Sequence, residues 1–266
     1  MAIDRMQTQR FELKYLITEE AALQVRDFVQ CHLNLDEYST LHPNLSYPVH
    51  SLYLDSDHLK TYWETINGDK NRYKLRLRFY STDANSPVFF EIKRRMNSCI
   101  MKQRGGVKQA AVPLLLNGHF PEPQHMFSKS DKAFVAVQRF CELMSTIQAR
   151  PRLHIFYQRE AYVNDNDSVR VTMDRHVCAE PNLHFSVKTE MHDPHYSYYP
   201  KVILELKFTD RHPTWFYDLV RVFDLMQCGA AKYCSSVQAI GHRPLEVLTP
   251  VVAEEFAVGR LEKRPV

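Results

Sequence analysis

A basic side chain occupies every second position of Arg72-Tyr73-Lys74-Leu75-Arg76-Leu77-Arg78-Phe79. Side chains alternate between the two faces of a β-strand, so this pattern predicts a strand with one apolar face and one cationic face. In an open antiparallel sheet the cationic face would simply meet water. In a sheet that curves round on itself, the cations would instead converge on an interior that suits a polyanion.

Three further segments place a glutamate and a lysine two residues apart, with an apolar residue between them. They are Glu12-Leu13-Lys14, Glu91-Ile92-Lys93 and Glu205-Leu206-Lys207. These segments lie far apart in the sequence, and they can share one interior only if the sheet closes on itself. The pattern therefore predicts an α+β protein built on a closed antiparallel β-barrel, with a charged lumen and with helices packed outside.

The remaining periodicities place helices and further strands around this barrel. Helical spacing of apolar residues predicts helices at residues 19–31, 59–66, 130–149 and 210–226. The pair Gly105-Gly106 is typical of a turn, so we expect two strands, at residues 96–104 and 106–112. Another strand is expected around residues 184–190.

Composition limits the classes of function. The chain has 266 residues and a formal net charge of +3, which is too weakly basic for a general nucleic-acid-binding surface. Its six cysteines form no Cys-x-x-Cys pair and its histidines show no metal-binding spacing, which favours free thiols in a reducing cytosol and argues against zinc. No apolar run approaches the roughly 20 residues of a membrane helix. We expect a soluble cytoplasmic protein with one domain at residues 1–242 and a tail at 243–266, so that any membrane partner would be a separate protein.

Seven short stretches of the sequence resemble, in the same order, the motifs of a known family. The first begins at residue 10 and the last is the third Glu-x-Lys segment. They are Arg10-x-Glu12-x-Lys14-Tyr15, Tyr53-Leu54-Asp55-Ser56, Lys74-Leu75-Arg76-Leu77-Arg78-Phe79-Tyr80, Phe90-Glu91-Ile92-Lys93, Arg159-x-Ala161-Tyr162, Val169-Arg170-Val171-Thr172-Met173-Asp174 and Leu204-Glu205-Leu206-Lys207. Together they resemble the VTC-type polyphosphate polymerase domain of the triphosphate tunnel metalloenzymes, within the CYTH-like superfamily. No single stretch is specific, but their order is.

The resemblance implies roles for individual residues. The cations that would grip a triphosphate or a phosphate chain are Lys14, Lys74, Arg76, Arg78, Lys93, Lys102, Arg159, Arg170 and Lys232. Those implied in catalysis are Lys14, Arg76, Arg78, Lys93, Arg159 and Arg170. Glu205, with Glu12 and Glu91, would hold Mn²⁺ or Mg²⁺. The family carries two lysines three residues apart near the C-terminal end, and here Ser235 stands in place of the second.

The activity implied is that of an ATP-dependent polyphosphate polymerase, which transfers the terminal phosphate of ATP to a growing polyphosphate chain. The hydrolytic branch of the family carries a glutamate where this chain has Arg10, and fewer carboxylates to orient water favour transfer over hydrolysis. The expected partners are ATP and polyphosphate or triphosphate, and no nucleic acid.

Two other functions stay open: a tunnel triphosphatase acting on inorganic triphosphate or nucleotides, and a non-catalytic polyphosphate-binding module. The acidic residues also have an alternative role. Glu12, Glu91 and Glu205 could be ion-pair partners of Lys14, Lys93 and Lys207. Asp174 is either a second metal ligand or a residue of a strand end.

Overall fold

The computed structural model describes residues 10–97 and 99–245 of the chain. Within these ranges it has ten strands and seven α-helices. The strands are β1 (Arg10–Ile17), β2 (Asn34–Leu35), β3 (Tyr47–Asp55), β4 (Asn71–Phe79), β5 (Val88–Met96), β6 (Cys99–Val107), β7 (Arg150–Val163), β8 (Val169–Pro181), β9 (His195–Tyr196) and β10 (Val202–Thr209). The helices are α1 (Glu19–Gln30), α2 (Glu37–Thr40), α3 (Lys60–Ile66), α4 (Val112–Leu116), α5 (Asp131–Thr146), α6 (Thr214–Val222) and α7 (Lys232–Ile240).

The strands form one antiparallel sheet in the order β2-β7-β3-β4-β5-β6-β1-β10-β8-β9. β7 also pairs with β8, so the sheet curls round and one of its faces is concave. The predicted closed barrel is nevertheless wrong. A barrel needs a ladder on both sides of every strand, whereas β1 and β6 share a single described pair, Arg10 with Ile100, and the order ends on the short strands β2 and β9.

The convex face of the sheet is apolar and carries helices. Leu75 and Leu77 of β4 and Phe90 of β5 are fully buried in one cluster with Phe140 of α5. On the other side of the molecule, α1 and α6 pack against β8 and β10, with Leu204 buried in that cluster. The cations of β4 therefore point to the concave face, as the period of two requires.

Helix α7 packs against one end of the concave face. Tyr233 of α7 stacks on Tyr53 of β3, with ring centroids 4.9 Å apart. Val237 of the same helix is buried in a cluster with Ile203 of β10. Since Tyr53 also accepts a hydrogen bond from Arg76, this apolar end adjoins the charged part of the same face.

Several predicted elements differ from the structure. One strand, β6 (Cys99–Val107), stands in place of the two expected at residues 96–104 and 106–112, and Gly105 lies inside it. A Cβ atom at Gly105 would lie 2.3 Å from the backbone oxygen of Ala133, so glycine lets α5 approach the strand closely. The strand expected at 184–190 is absent from the described residues, and the helix expected at 210–226 spans only Thr214–Val222.

The predicted tail lies mostly outside the described residues. Of residues 243–266, the structure describes 243–245, and Leu245 is fully buried in the cluster that contains Tyr62 and Tyr233. Across residues 10–97 and 99–245, no helix is both long and apolar enough to span a membrane.

Candidate functional site

The concave face carries a dense set of charges that we call the charged interior. Its basic side chains are Lys14, Lys74, Arg76, Arg78, Lys93, Lys102, Arg104, Arg159, Arg170, Lys207 and Lys232. Its carboxylates are Glu12, Asp36, Glu91, Asp174 and Glu205. Eleven cations thus face five carboxylates, and the named groups carry an excess of positive charge.

Glu205 lies at the centre of one cluster and is 4% exposed. Its Oε1 atom is 2.9 Å from Lys232 Nζ and 3.2 Å from Lys14 Nζ. Its Oε2 atom is 2.5 Å from Lys207 Nζ and 3.4 Å from Arg159 Nη2. Burial would raise the pKa of Glu205, but these four cations together hold it well below its usual range.

Asp174 extends this cluster on β8. Arg159 donates to both of its oxygens at 2.7 Å, and Lys232 Nζ lies 2.6 Å from Oδ2. Asp174 is fully buried, and although burial opposes ionisation, Arg159 and Lys232 lower its pKa. In this structure Asp174 is an ion-pair partner in the middle of β8, and not the residue of a strand end that was one of the two expectations.

Glu12 joins β1 to β5 across the concave face. Lys93 donates to its Oε2 atom at 2.9 Å, and Lys14 Nζ is 3.0 Å from Oε1. Lys14 also donates to the backbone oxygen of Ala230 at 2.8 Å. Against the effect of burial, Lys93 and Lys14 hold the pKa of Glu12 well below its usual range.

Glu91 organises a second cluster, on β4, β5 and β6. Cross-strand pairing sets Arg76 directly opposite Glu91, and Arg76 Nη2 is 2.7 Å from Glu91 Oε2. The Oε1 atom is buried without a hydrogen bond, and Lys102 and Arg104 each approach it to 3.6 Å. Glu91 is fully buried, so its negative charge depends on this group of cations.

Two of the other predicted cations, Arg78 and Lys74, donate to neutral side chains. Arg78 donates to Ser51 Oγ at 3.2 Å and to Tyr157 Oη at 3.0 Å. Lys74 donates to Thr65 Oγ1 at 2.7 Å.

Arg170 pairs with Asp36, whose other oxygen accepts the backbone N–H of Ser39 and so caps α2. The structure thus brings every predicted cation to the charged interior.

The cations differ in their access to solvent. The side chain of Lys102 is 46% exposed, and those of Lys93 and Arg104 are 33% and 32% exposed. In contrast, Arg78 and Lys232 are 6% and 8% exposed. Burial lowers the pKa of Lys102 to about 8, although Glu91 opposes this effect. An entering anion would therefore meet the group around Lys102 first.

The predicted metal ligands do not form a shared metal centre. Lys14 contacts both Glu12 and Glu205, and Glu91 belongs to the other cluster. No group of three or more Asp, Glu, His or Cys side chains in the described part of the chain is placed to hold a metal. This donor set does not fit a metal held by the protein alone. Mg²⁺ entering with a triphosphate needs only one or two carboxylates, because phosphate oxygens and waters supply the remaining ligands.

Arg104 and Asp36 belong to the site but were not predicted. Arg104 stands two residues after Lys102, and its guanidinium lies 3.4 Å from the centre of the Phe89 ring. The same period of two that identified β4 could have identified Arg104. The turn expected at Gly105-Gly106 placed Arg104 at the end of a strand, and its side chain was therefore not assigned to the site. No sequence pattern indicated Asp36, because its contact with Arg170 forms only in the folded protein.

The model of the VTC domain family matches residues 9–240. A solved chain from the Mediator head module of Schizosaccharomyces pombe is 6% identical, with a TM-score of 0.38, and the match covers 81% of this chain and 91% of that chain. No curated protein matches the chain significantly.

Proposed function

The chain belongs to the VTC domain family, and from that premise we propose that it is an ATP-dependent polyphosphate polymerase. The family implies a polyphosphate-related function. The proposal adds that the terminal phosphate of ATP is transferred to a phosphate chain within the charged interior.

The excess of cations over carboxylates is the observation that supports this proposal most strongly. The five carboxylates compensate part of the positive charge, and two of them, Glu205 and Asp174, hold the deep lysines Lys207 and Lys232 at distances of 2.5–2.9 Å. Lys102 and Arg104 are only loosely paired, at 3.6 Å from Glu91. A polyphosphate chain offers closely spaced charges that complete the pairing of these exposed groups.

Phosphoryl transfer requires mainly positioning and charge compensation from the protein. Arginines such as Arg76 and Arg78 offer fixed donors to phosphate oxygens, whereas lysines act as compact point charges. The attacking oxygen of a phosphate chain is already anionic, so the reaction needs no dedicated general base. A divalent ion, Mn²⁺ or Mg²⁺, would arrive with the nucleotide, and Glu205 would be its protein ligand. Such an ion would neutralise charge on the terminal phosphates.

The products of the purified protein test the proposal. Incubation with ATP and Mn²⁺ should yield long polyphosphate and ADP, resolved by gel electrophoresis and by chromatography. Replacing Lys102 and Arg104 together with alanine should lower kcat/KM for ATP at least about tenfold, since each charge-assisted contact contributes roughly 1.5–3 kcal/mol. Lys60→Ala is the matched control, because Lys60 pairs with Glu64 on the surface of α3. Orthophosphate without polymer would contradict transfer and indicate a triphosphatase.

One observation favours a second candidate, a polyphosphate-binding module without turnover. Both oxygens of Glu205 already contact lysines, so the residue serves as an internal counterion in this structure. This candidate predicts tight binding of polyphosphate and no release of ADP at any concentration of Mn²⁺. The same incubation therefore separates the two functions.

A further inference from the structure

A cavity of about 460 Å³ lies on the convex side of the sheet, outside the charged interior. It is bounded by α1, by the loop before β3, and by β7 and β8. Polar and basic side chains dominate its lining, notably Arg26, His42, Asn44, Gln158, Arg175 and His176. Gln158 and Arg175 are neighbours in sequence of Arg159 and Asp174, which face the charged interior. The alternation along β7 and β8 thus places this cavity on the opposite face.

Arg175 carries the feature that points to a ligand. Its Nε atom donates to Glu19 and its Nη1 atom donates to Glu160 at 2.8 Å. Its Nη2 atom is buried and has no hydrogen-bond partner. A buried donor on a charged group is costly to leave unpaired, so this guanidinium has capacity for one more acceptor.

Glu160 cannot supply that acceptor, because its own capacity is taken. The carboxylate is fully buried and receives two hydrogen bonds from Arg26, at 2.7 and 2.9 Å. Tyr162 donates to it at 2.7 Å, in addition to Arg175. Glu19 is the other anion near Arg175, and its side chain is 51% exposed. Glu19 can therefore turn to solvent and leave the guanidinium to a ligand.

The backbone beside the cavity is irregular. The register of β7 and β8 shifts between Phe156 and Gln158, which marks a bulge beside the cavity. His176 follows with a φ of 52°, a left-handed conformation that is uncommon for a residue other than glycine. Bulges redirect side chains, and here the bulge brings His176 to the wall of the cavity.

We propose that this cavity is a binding site for a small phosphate-bearing molecule, with the Arg175 guanidinium, uncovered when Glu19 turns to solvent, as the anchoring donor. Arg26 supplies a second guanidinium, and Asn44, Gln158 and the two imidazoles supply further donors for the remaining oxygens. This site is separate from the charged interior, and the proposal does not depend on the polymerase activity.

A titration with diphosphate, followed by NMR of the histidine side chains, tests the proposal. The signals of His42 and His176, identified through His42→Gln and His176→Gln variants, report on the cavity alone. In the wild-type protein both signals should shift and saturate. Lys102→Ala, which weakens only the charged interior, should leave this titration unchanged.

Two substitutions within the cavity should abolish or weaken the response. Arg175→Lys keeps a positive charge beside Glu160 but removes the Nη2 donor, and it should weaken diphosphate binding at least about tenfold. Asn44→Asp adds a charge at an exposed position that does not threaten folding, and it should weaken binding severalfold by repulsion. Unshifted histidine signals in the wild type, or wild-type titration of Asn44→Asp, would overturn the proposal. So would a loss of the response in Lys102→Ala.

Discussion

Replacing Glu205 with glutamine removes the charge on which the central cluster of the interior depends. The carboxylate is 4% exposed and lies within 3.4 Å of four cationic side chains. Removing one partner of a buried ion pair costs about 3–5 kcal/mol, because the remaining charge stays buried without compensation. For a chain of this size each kcal/mol lowers Tm by roughly 2–4 °C. We therefore expect Glu205→Gln to lower Tm by on the order of 10 °C.

The same substitution should strengthen the binding of metal-free triphosphate. Glu205 repels the phosphates that share its cations, and unit charges about 8 Å apart interact by roughly 2 kcal/mol at an effective dielectric constant near 20. Loss of that repulsion would tighten the dissociation constant by about thirtyfold. Triphosphate should then raise Tm more in the variant than in the wild type, since a ligand stabilises the folded state according to its affinity.

Calorimetry with triphosphate, thermal unfolding and Mn²⁺-dependent ADP release should be measured on the same preparations. If Glu205 also ligates the ion that enters with ATP, ADP release is lost while metal-free binding tightens. Asp55→Asn is the matched control, because Asp55 is a fully buried carboxylate whose donors, such as Thr61 and Tyr233, are neutral. It should lower Tm without changing the affinity. Weaker metal-free binding by Glu205→Gln, or an unchanged Tm, would refute the counterion role.

Three other predictions concern pH and packing. Because burial lowers the pKa of Lys102 to about 8, affinity for triphosphate should fall between about pH 7 and pH 9 as this ammonium loses its proton. Lys102→Arg should resist that fall, and equal losses in calorimetry would contradict the assignment. His50 and His154 are buried with their ring nitrogens 3.1 Å apart, and burial lowers both pKa values to about 4. The unfolded chain then binds protons first, so stability should decline from about pH 6.5 to pH 4 by roughly 3 kcal/mol for each imidazole. His154→Gln should flatten this slope in urea unfolding, and an unaltered slope would count against it. Gly105→Ala should cost roughly 1–3 kcal/mol through overpacking against α5, whereas Gly229→Ala, whose Cβ meets no atom within 4 Å, should be nearly neutral. Similar denaturation midpoints for the two variants would disprove the packing argument.

The period of two was sufficient to predict where the charges of β1, β4, β5 and β10 point. It determines faces, because alternate side chains lie on opposite sides of any strand. It does not determine closure. The contact between β1 and β6 depends on the curvature and stagger of the whole sheet, and among the described residues it amounts to one pair. No local sequence pattern in β1 or β6 predicts that curvature and stagger.

Of the three ion pairs that the Glu-x-Lys spacing suggested, two form, Glu12 with Lys14 and Glu205 with Lys207. As the alternative to metal binding, Glu91 could have paired with Lys93, but Lys93 pairs with Glu12 and Arg76 pairs with Glu91. Cross-strand register sets Arg76 opposite Glu91, and register is a property of two strands that neither sequence alone reveals.

The pairing pattern also indicates where affinity for a polyanion originates. Lys232 and Lys207 already have carboxylate oxygens at 2.9 and 2.5 Å, so a phosphate that replaces Glu205 exchanges one strong contact for another. The free energy gained there is small. Lys102 and Arg104 have no such contact to give up, since Glu91 lies 3.6 Å from each. Net binding energy should therefore come from the exposed part of the interior. The deep cluster should act chiefly by positioning, because its cations are held in place before any phosphate arrives.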